Sequence, residues 1–158
     1  MLDGIISGGK SGAEQAARQA AIAHGIPTGG WMSEGSGTAR GPGSELAQPR
    51  GAEEMRQESR PTPTEQNVRG SDATLWFGDT TTADAQTTVA ACHRFGRPCM
   101  PVYPAATFEP SHVATWIAEN QIKMLNVAGN REDEEPGISA GVQRFLCELL
   151  LNLGHNRT

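Results

Sequence analysis

The chain has 158 residues, of which 37% are hydrophobic, and its formal net charge is −5. This length suits one well-filled domain, and 13 scattered basic residues in an acidic chain exclude a nucleic-acid-binding surface. No apolar run approaches the ~20 residues that cross a bilayer, so we expect a cytoplasmic protein with neither nucleic-acid nor membrane partners.

The first predicted unit is a strand, a glycine-bearing turn and a helix. Residues 2–7 form a short apolar strand, and alanines from Ala13 onward recur at the spacing of one helical face. A face made of methyl groups lets a crossover helix lie close to a sheet. Gly25 and Pro27 end the helix, and residues 28–31 are predicted to form a brief second strand.

The turn after the first strand is a candidate anion site. Its glycines let the backbone approach a ligand, and we expect the N–H groups of about residues 11–15 to lack intrahelical partners. A phosphate would satisfy these groups at the positive end of the helix dipole. The alternative is an ordinary tight turn in which Lys10 is a solvated cation. The candidate binding residues of this turn are Gly8, Gly9, Lys10, Ser11 and Gly12.

A long segment of the chain then lacks large apolar residues. Residues 33–60 are rich in glycine and proline, which predicts a long exposed loop that is either a functional lid or simply mobile. Regular structure resumes at Thr62, which forms a capping box with Glu65 and opens a helix that runs to about Arg69.

The rest of the chain alternates strands with helices. The predicted strands are 73–77, 99–103 and 123–128, and the predicted helices are 83–95, 111–120 and 138–153. This alternation predicts one Rossmann-like α/β domain over 1–158, with a doubly wound, mostly parallel sheet of about five strands and helices on both faces. The last helix contains more leucine than one buried stripe needs, which predicts a homo-oligomer, either a dimer or a tetramer.

In such a sheet, ligands bind beyond the carboxyl ends of the strands. Three further polar or glycine-rich segments follow predicted strands, so we expect them to gather with the first turn at one edge. Helix N-termini, hydroxyl groups and a basic side chain at this edge would suit an anionic small molecule. The further candidate binding residues are Gly30, Trp31, Gly78, Asp79, Thr80, Thr81, Thr82, Asn126, Gly129 and Arg131.

These candidates also have structural explanations, and catalytic residues are scarce. The threonines can simply cap a helix, Trp31 can be a core aromatic, and Arg131 begins a charge run typical of a solvated loop. The four histidines are dispersed, so we predict neither a catalytic triad nor a metal site. The cysteines lack C-x-x-C spacing and are predicted to be reduced core thiols, namely Cys92, Cys99 and Cys147.

Four segments of the sequence resemble the molybdenum carrier family. They are residues 6–13, 25–31, 64–74 and 126–138. That family is similar in fold to the Rossmann-like phosphoribohydrolases once called lysine decarboxylases, and its characterised algal relatives bind and protect the molybdenum cofactor, a pterin with a terminal phosphate. The resemblance therefore implies a carrier more than an enzyme, with the phosphate on residues 8–12 and the ring against Trp31 or the 33–60 loop.

One departure from these relatives bears on catalysis. The phosphoribohydrolases carry P-G-G-x-G-T-x-x-E at a strand end, whereas the corresponding segment here, 77–85, has Ala85 in place of the glutamate and Asp84 one position earlier. The missing carboxylate argues against N-glycosidic hydrolysis by that mechanism. A nucleotide-binding or nucleotide-processing protein of the same fold is the alternative, and a structural module without a small ligand is the third possibility.

Overall fold

In a computed structural model that describes residues 1–31, 62–102 and 109–156, the chain forms five strands and five helices. The strands are β1 (Gly4–Ser7), β2 (Thr28–Gly29), β3 (Ala73–Phe77), β4 (Cys99–Val102) and β5 (Met124–Gly129). The helices are α1 (Ala13–Ala23), α2 (Pro63–Arg69), α3 (Ala83–Phe95), α4 (Pro110–Glu119) and α5 (Ile138–Asn152). The predicted 33–60 loop and the predicted strand residue Tyr103 lie outside the described residues, and β2 is shorter than predicted.

All neighbouring strands in the sheet are parallel, in the order β2-β1-β5-β3-β4. The last strand in the chain is therefore the central one: Leu125 of β5 pairs with Ile5 of β1 on one side and Ala73 of β3 on the other. This arrangement confirms the predicted Rossmann-like α/β fold with a parallel sheet of five strands.

Two helical layers cover the sheet. Helices α1, α4 and α5 pack together over a large apolar core, which includes Leu75 and Leu125. Helices α2 and α3 pack together over a smaller cluster formed by Val68, Ala91 and Cys92, against which Cys99 of β4 packs. Because successive strand residues face opposite sides of a sheet, the two clusters occupy opposite faces.

The helix ends predicted at Thr62, Thr82 and Gly96 are present. Thr62 accepts a hydrogen bond from the Glu65 N–H at the start of α2, and Thr82 accepts one from the Ala85 N–H at the start of α3. Gly96 ends α3 with φ at 64°, the left-handed conformation that glycine adopts readily. Helix α1 differs, because its N-cap residue is a glycine without a capping side chain.

The core explains the predicted alanine face and part of the leucine-rich helix. The alanines of α1 that lie on its predicted inner face are fully buried, which brings α1 close to α5 and β1. Leu149 and Leu150 of α5 are also fully buried, whereas Leu151 is 50% exposed. The predicted homo-oligomer stays a prediction. The three cysteines are free, and Cys92 is buried while Cys99 and Cys147 are partly buried.

Two histidines join the beginning and the end of the described fold. The Leu2 N–H donates to Nε2 of His155 over 2.9 Å, and Nδ1 of His24 donates to the His155 carbonyl over 2.9 Å. Both rings are buried. Because Nε2 of His155 accepts a hydrogen bond, this nitrogen carries no proton in the folded protein.

We expect this contact to make stability depend on pH. Burial lowers the pKa of His155 below its usual value, so the unfolded chain takes up a proton that the folded protein resists. The stabilisation is complete above about pH 6.5 and is lost as the pH falls below that value. Thermal unfolding between pH 8 and 5 should show a smaller loss at low pH in His155→Gln than in the wild type. His112→Gln, at an exposed position of α4, is the control and should retain the wild-type slope.

Candidate functional site

A cleft opens at the carboxyl edge of the sheet, over the ends of β1, β5 and β3. It contains about 450 Å³ of empty space, including the space at its open mouth. The strand order reverses here, because the chain continues from β1 to β2 at one edge of the sheet and from β3 to β4 at the opposite edge. The lining residues are Gly8, Lys10, Glu14, Trp31, Pro63, Thr64, Asn67, Trp76, Asp84, Thr88, Asn126, Val127, Ala128 and Gly129.

The carboxylate of Glu14, which is not among the predicted site residues, accepts a hydrogen bond from the first loop. The Lys10 N–H donates to Oε1 of Glu14 over 3.1 Å. A Cβ atom added to Gly8 would lie 2.3 Å from the same oxygen, so the glycine makes room for the carboxylate. Glu14 thus occupies the concave side of the loop at which we expected a phosphate.

The amide groups at the start of α1 also have partners within the protein. The Ala13 N–H donates to the Asn130 carbonyl over 3.2 Å, and the Gln15 N–H donates to the Lys10 carbonyl over 3.0 Å. The expectation that the amides of residues 11–15 lack partners is therefore wrong for these two residues. The partner of Ala13 comes from a distant part of the chain, because the loop after β5 folds over the start of the helix and supplies the Asn130 carbonyl.

Three charged side chains lie together at the cleft. Nζ of Lys10 lies 3.7 Å from Oδ2 of Asp84, and the Lys10 side chain is 31% exposed. Burial raises the pKa of Glu14 above its usual value, although the Lys10 amide and ammonium groups act in the opposite direction. Glu14 is therefore a partly desolvated carboxylate, and Asp84 is a carboxylate with greater exposure to water. Lys10 lies close to both.

An asparagine fixes one wall of the cleft. The side chain of Asn67 accepts a hydrogen bond from the Trp31 N–H over 2.7 Å and donates one to the Trp31 carbonyl over 2.9 Å. These two hydrogen bonds take the place of the bonds that a neighbouring strand would make, at the point where β2 has ended. A second indole, that of Trp76, is 1% exposed and donates to the Asp79 carbonyl over 3.2 Å. Trp31 thus supplies an aromatic side chain to the lining of the cleft.

The floor of the cleft carries a buried amide. Nδ2 of Asn126, on the central strand β5, donates to the Thr74 hydroxyl of β3 over 3.1 Å. Both side chains are buried, and the hydrogen bond offsets the cost of removing them from water. Thr88 of α3 closes the floor from the opposite side, and its hydroxyl donates to the Asp84 carbonyl over 2.8 Å.

The loop after β3 bonds to itself rather than contributing to the cleft. The carboxylate of Asp79 accepts hydrogen bonds from the N–H and the hydroxyl of Thr81, over 2.8 and 2.7 Å. The hydroxyl contact is the largest of the influences that lower the pKa of Asp79. Thr82 caps α3, and Thr80 is exposed. The alternative that these threonines cap a helix accounts for Thr82, whereas Thr81 bonds Asp79.

The loop after β5 is also bonded by its own acidic residues. The carboxylate of Glu132 accepts the Gly137 N–H at the start of α5, which lowers the pKa of Glu132. The guanidinium Nε of Arg131 lies 3.4 Å from Asp133 and 3.6 Å from Glu134. Arg131 is exposed and lies outside the cleft lining, as the solvated-loop interpretation predicts.

Several predicted binding glycines are explained by close packing of the protein's own backbone. A Cβ atom on Gly30 would lie 2.1 Å from the Ser7 carbonyl oxygen, and one on Gly129 would lie 2.3 Å from the Phe77 carbonyl oxygen. Real Cβ atoms do not approach other atoms this closely. The candidate glycines with such backbone contacts are Gly12, Gly30 and Gly129, whereas a Cβ atom on Gly78 would lie 2.7 Å from the side-chain amide of Asn130.

The structure thus divides the predicted binding residues into two groups. Those that line the cleft are Gly8, Lys10, Trp31, Asn126 and Gly129. Those outside the lining are Gly9, Ser11, Gly12, Gly30, Gly78, Asp79, Thr80, Thr81, Thr82 and Arg131. The lining also contains polar or aromatic residues that were not predicted, namely Glu14, Thr64, Asn67, Trp76, Asp84 and Thr88. Glu14 and Asp84 carried one usable signal, since each stands in the first turn of a helix that follows a strand.

Two absences apply to the part of the chain that the structure describes. Within residues 1–31, 62–102 and 109–156, no group of three or more histidine, cysteine or acidic side chains is placed to hold a metal ion. In the same ranges, no helix has both the length and the apolar content that a membrane span requires.

Comparison with known proteins identifies a family and a solved relative. The model of the family described as circularly permutated YpsA SLOG matches residues 5–150. The 1.45 Å crystal structure of the "Putative molybdenum carrier protein" from Syntrophus aciditrophicus SB is 29% identical, covers 95% of each chain and superposes with a TM-score of 0.70. No curated protein matches the chain. The chain therefore belongs to the circularly permutated YpsA SLOG family, and the predicted resemblance to molybdenum carriers is confirmed.

Proposed function

We propose that the protein binds the molybdenum cofactor and acts as its carrier, with the pterin ring in the cleft at the carboxyl edge of the sheet. The observation that carries this proposal is the wall formed by Trp31, whose backbone Asn67 holds on both sides. A flat heterocycle gains dispersion and stacking energy against an indole whose main chain is held in this way. The name of the solved relative is consistent with this cargo.

The donor set of the cleft suits the ring better than it suits a phosphate. The Glu14 carboxylate occupies the first loop, and a like charge would repel a phosphate placed there. Lys10 is paired with Asp84 near the mouth, where a partly exposed ion pair contributes little and exchanges readily. We therefore place the terminal phosphate at Lys10 rather than on the loop amides, and the ring deeper in the cleft.

The proposal predicts that pterin binding depends on Trp31. The protein purified from cells that make the cofactor should carry a bound pterin, detected by native mass spectrometry and by fluorescence after oxidation. Trp31→Ala should weaken the affinity for the cofactor by roughly 10- to 100-fold, the loss expected when stacking on an aromatic ring is removed. Arg131→Ala, outside the cleft, should leave the affinity unchanged. A wild-type protein without any affinity for pterins would overturn the proposal.

A second candidate function is nucleotide processing, and one observation favours it. Glu14 and Asp84 both line the cleft, so carboxylates are present at the site although position 85 is an alanine. A pair of carboxylates is the equipment of glycoside hydrolysis. Incubation with nucleoside monophosphates, followed by chromatography for free base, tests this candidate. Base release that Asp84→Asn abolishes, together with no affinity for pterins, would favour it over a carrier.

A further inference from the structure

Glu14 combines three properties that single it out among the cleft residues. Its carboxylate lines the cleft, it is the most desolvated charge there, and the Lys10 N–H holds it in place. A carboxylate offers about four acceptor positions. The Lys10 N–H uses one of them, so the two that a ligand with paired donors needs are still available.

A carboxylate with two unused acceptor positions is complementary to a ligand with two adjacent donors. The 2-amino-4-oxo-pyrimidine ring of pterins and guanines presents such an edge, formed by a ring N–H and the neighbouring amino group. Adenine lacks it, because its ring nitrogens are acceptors. Paired hydrogen bonds to a carboxylate are both strong and geometrically selective, more so where water is excluded.

We infer that Glu14 binds the donor edge of a 2-amino-4-oxo heterocycle, so that the cleft selects pterins and guanines over adenines. This inference rests on the proposed function and refines it, because it assigns the deep end of the cleft to the ring. Trp31 then faces the plane of the ring, and Lys10 lies toward the mouth, where a substituent with a phosphate would emerge. In this assignment the loop after β1 contributes to ligand recognition because its Lys10 amide positions the Glu14 side chain.

The charged groups that face Glu14 fit this assignment. Lys10 contributes its amide and its ammonium, and Asp84 contributes a second negative charge from α3. Asp84 disfavours an additional negative charge beside Glu14, whereas a ligand edge with two hydrogen-bond donors is attracted by both carboxylates. A phosphate in this position would meet two carboxylates and one lysine.

The test is calorimetric titration with three ligands, namely 6-hydroxymethylpterin, guanosine monophosphate and adenosine monophosphate. We expect the wild type to bind the pterin and the guanine nucleotide at least about tenfold more tightly than the adenine nucleotide. Glu14→Gln should weaken the first two by about 10- to 100-fold and leave the third unchanged, because loss of charged hydrogen bonds affects only ligands that make them. Glutamine retains an oxygen for the Lys10 N–H, so the loop keeps its main contact.

A matched control separates recognition from loop structure. The Glu132 carboxylate also accepts backbone N–H groups in a loop at the carboxyl edge, but it lies outside the cleft. Glu132→Gln should therefore leave all three affinities unchanged. If Glu14→Gln fails to fold, Glu14→Asp takes its place, since the shorter side chain withdraws the same charge from the cleft and should give the same selective loss.

The possible failures point to different conclusions. A wild type that binds none of the three ligands would overturn the proposed function together with this inference. A Glu14→Gln variant that binds the pterin as tightly as the wild type does would overturn the inference alone. A preference for adenosine monophosphate would overturn the inference and support the nucleotide-processing alternative.

Discussion

Replacement of Gly12 by alanine is expected to lower the free energy of unfolding by about 2–5 kcal/mol. Gly12 has φ at 86° and ψ at −128°, a conformation that L-residues rarely adopt. A Cβ atom there would lie 2.5 Å from the Asn130 carbonyl oxygen and 2.7 Å from the Glu132 nitrogen, both backbone atoms that side-chain rotation cannot move. The backbone strain accounts for roughly 1–2 kcal/mol of the loss and the overpacking for the rest.

The control for this substitution is Gly137→Ala. Gly137 also has a positive φ, 92°, but its ψ of −6° places it in the left-handed helical region, and a Cβ atom there would meet nothing within 4 Å. We expect this variant to lose only about 1–2 kcal/mol. Denaturant unfolding of both variants gives the comparison. Equal losses would show that the loop after β5 does not press on Gly12. A stable Gly12→Ala protein that fails only to bind ligand would restore the original assignment of Gly12 to a ligand.

The fold could be predicted because its signals are local. Alternating apolar runs, the alanine face of α1 and the threonine caps each lie within a few residues of one another, and parallel strands joined by helices permit few topologies. Even so, the short β2 was predicted two residues too long. Asn67, which is distant in the sequence, makes the hydrogen bonds to Trp31 that a longer β2 would have made. No local sequence pattern predicts such a contact.

The site was harder to predict because it depends on contacts between loops. A glycine-rich turn before a helix is compatible with a bound phosphate and equally with a carboxylate from the helix itself. Here Glu14 of α1 realises the second arrangement, and Asp79 and Glu132 bond backbone amides in the loops after β3 and β5. In the first loop, the Lys10 amide bonds the Glu14 carboxylate, and the Ala13 and Gln15 amides bond backbone carbonyls.

This repeated use of carboxylates changes the chemistry expected at the edge of the sheet. Each acidic side chain satisfies backbone donors and at the same time makes its loop negative, so that the edge favours ligands with hydrogen-bond donors over bare anions. Among the described residues of the cleft lining, Lys10 is the basic one. A phosphorylated heterocycle can satisfy both conditions only if its ring enters first, which is the orientation that we propose.

Phe145→Ala should produce the other large effect, a loss of about 3–5 kcal/mol in the free energy of unfolding. Phe145 of α5 is buried, and its ring meets that of Phe77 edge to face, with centroids 5.4 Å apart and planes at 76°. Phe77 ends β3, and its carbonyl accepts the Asn130 N–H over 2.9 Å. Removal of the ring therefore leaves a cavity under the end of β3, which holds the start of the loop after β5.

Two further variants separate the causes of this loss. Phe145→Leu fills most of the cavity but removes the edge-to-face contact, so it should lose less than the alanine variant, including about 0.5–1.5 kcal/mol from the aromatic pair. Arg144→Ala, at the preceding exposed position, should stay within about 0.5 kcal/mol of the wild type. In thermal unfolding, the alanine variant should melt roughly 6–20 °C lower than the wild type. A shift no larger than that of Arg144→Ala would show that α5 does not brace the end of β3, and the packing that positions the cleft would have to be assigned elsewhere.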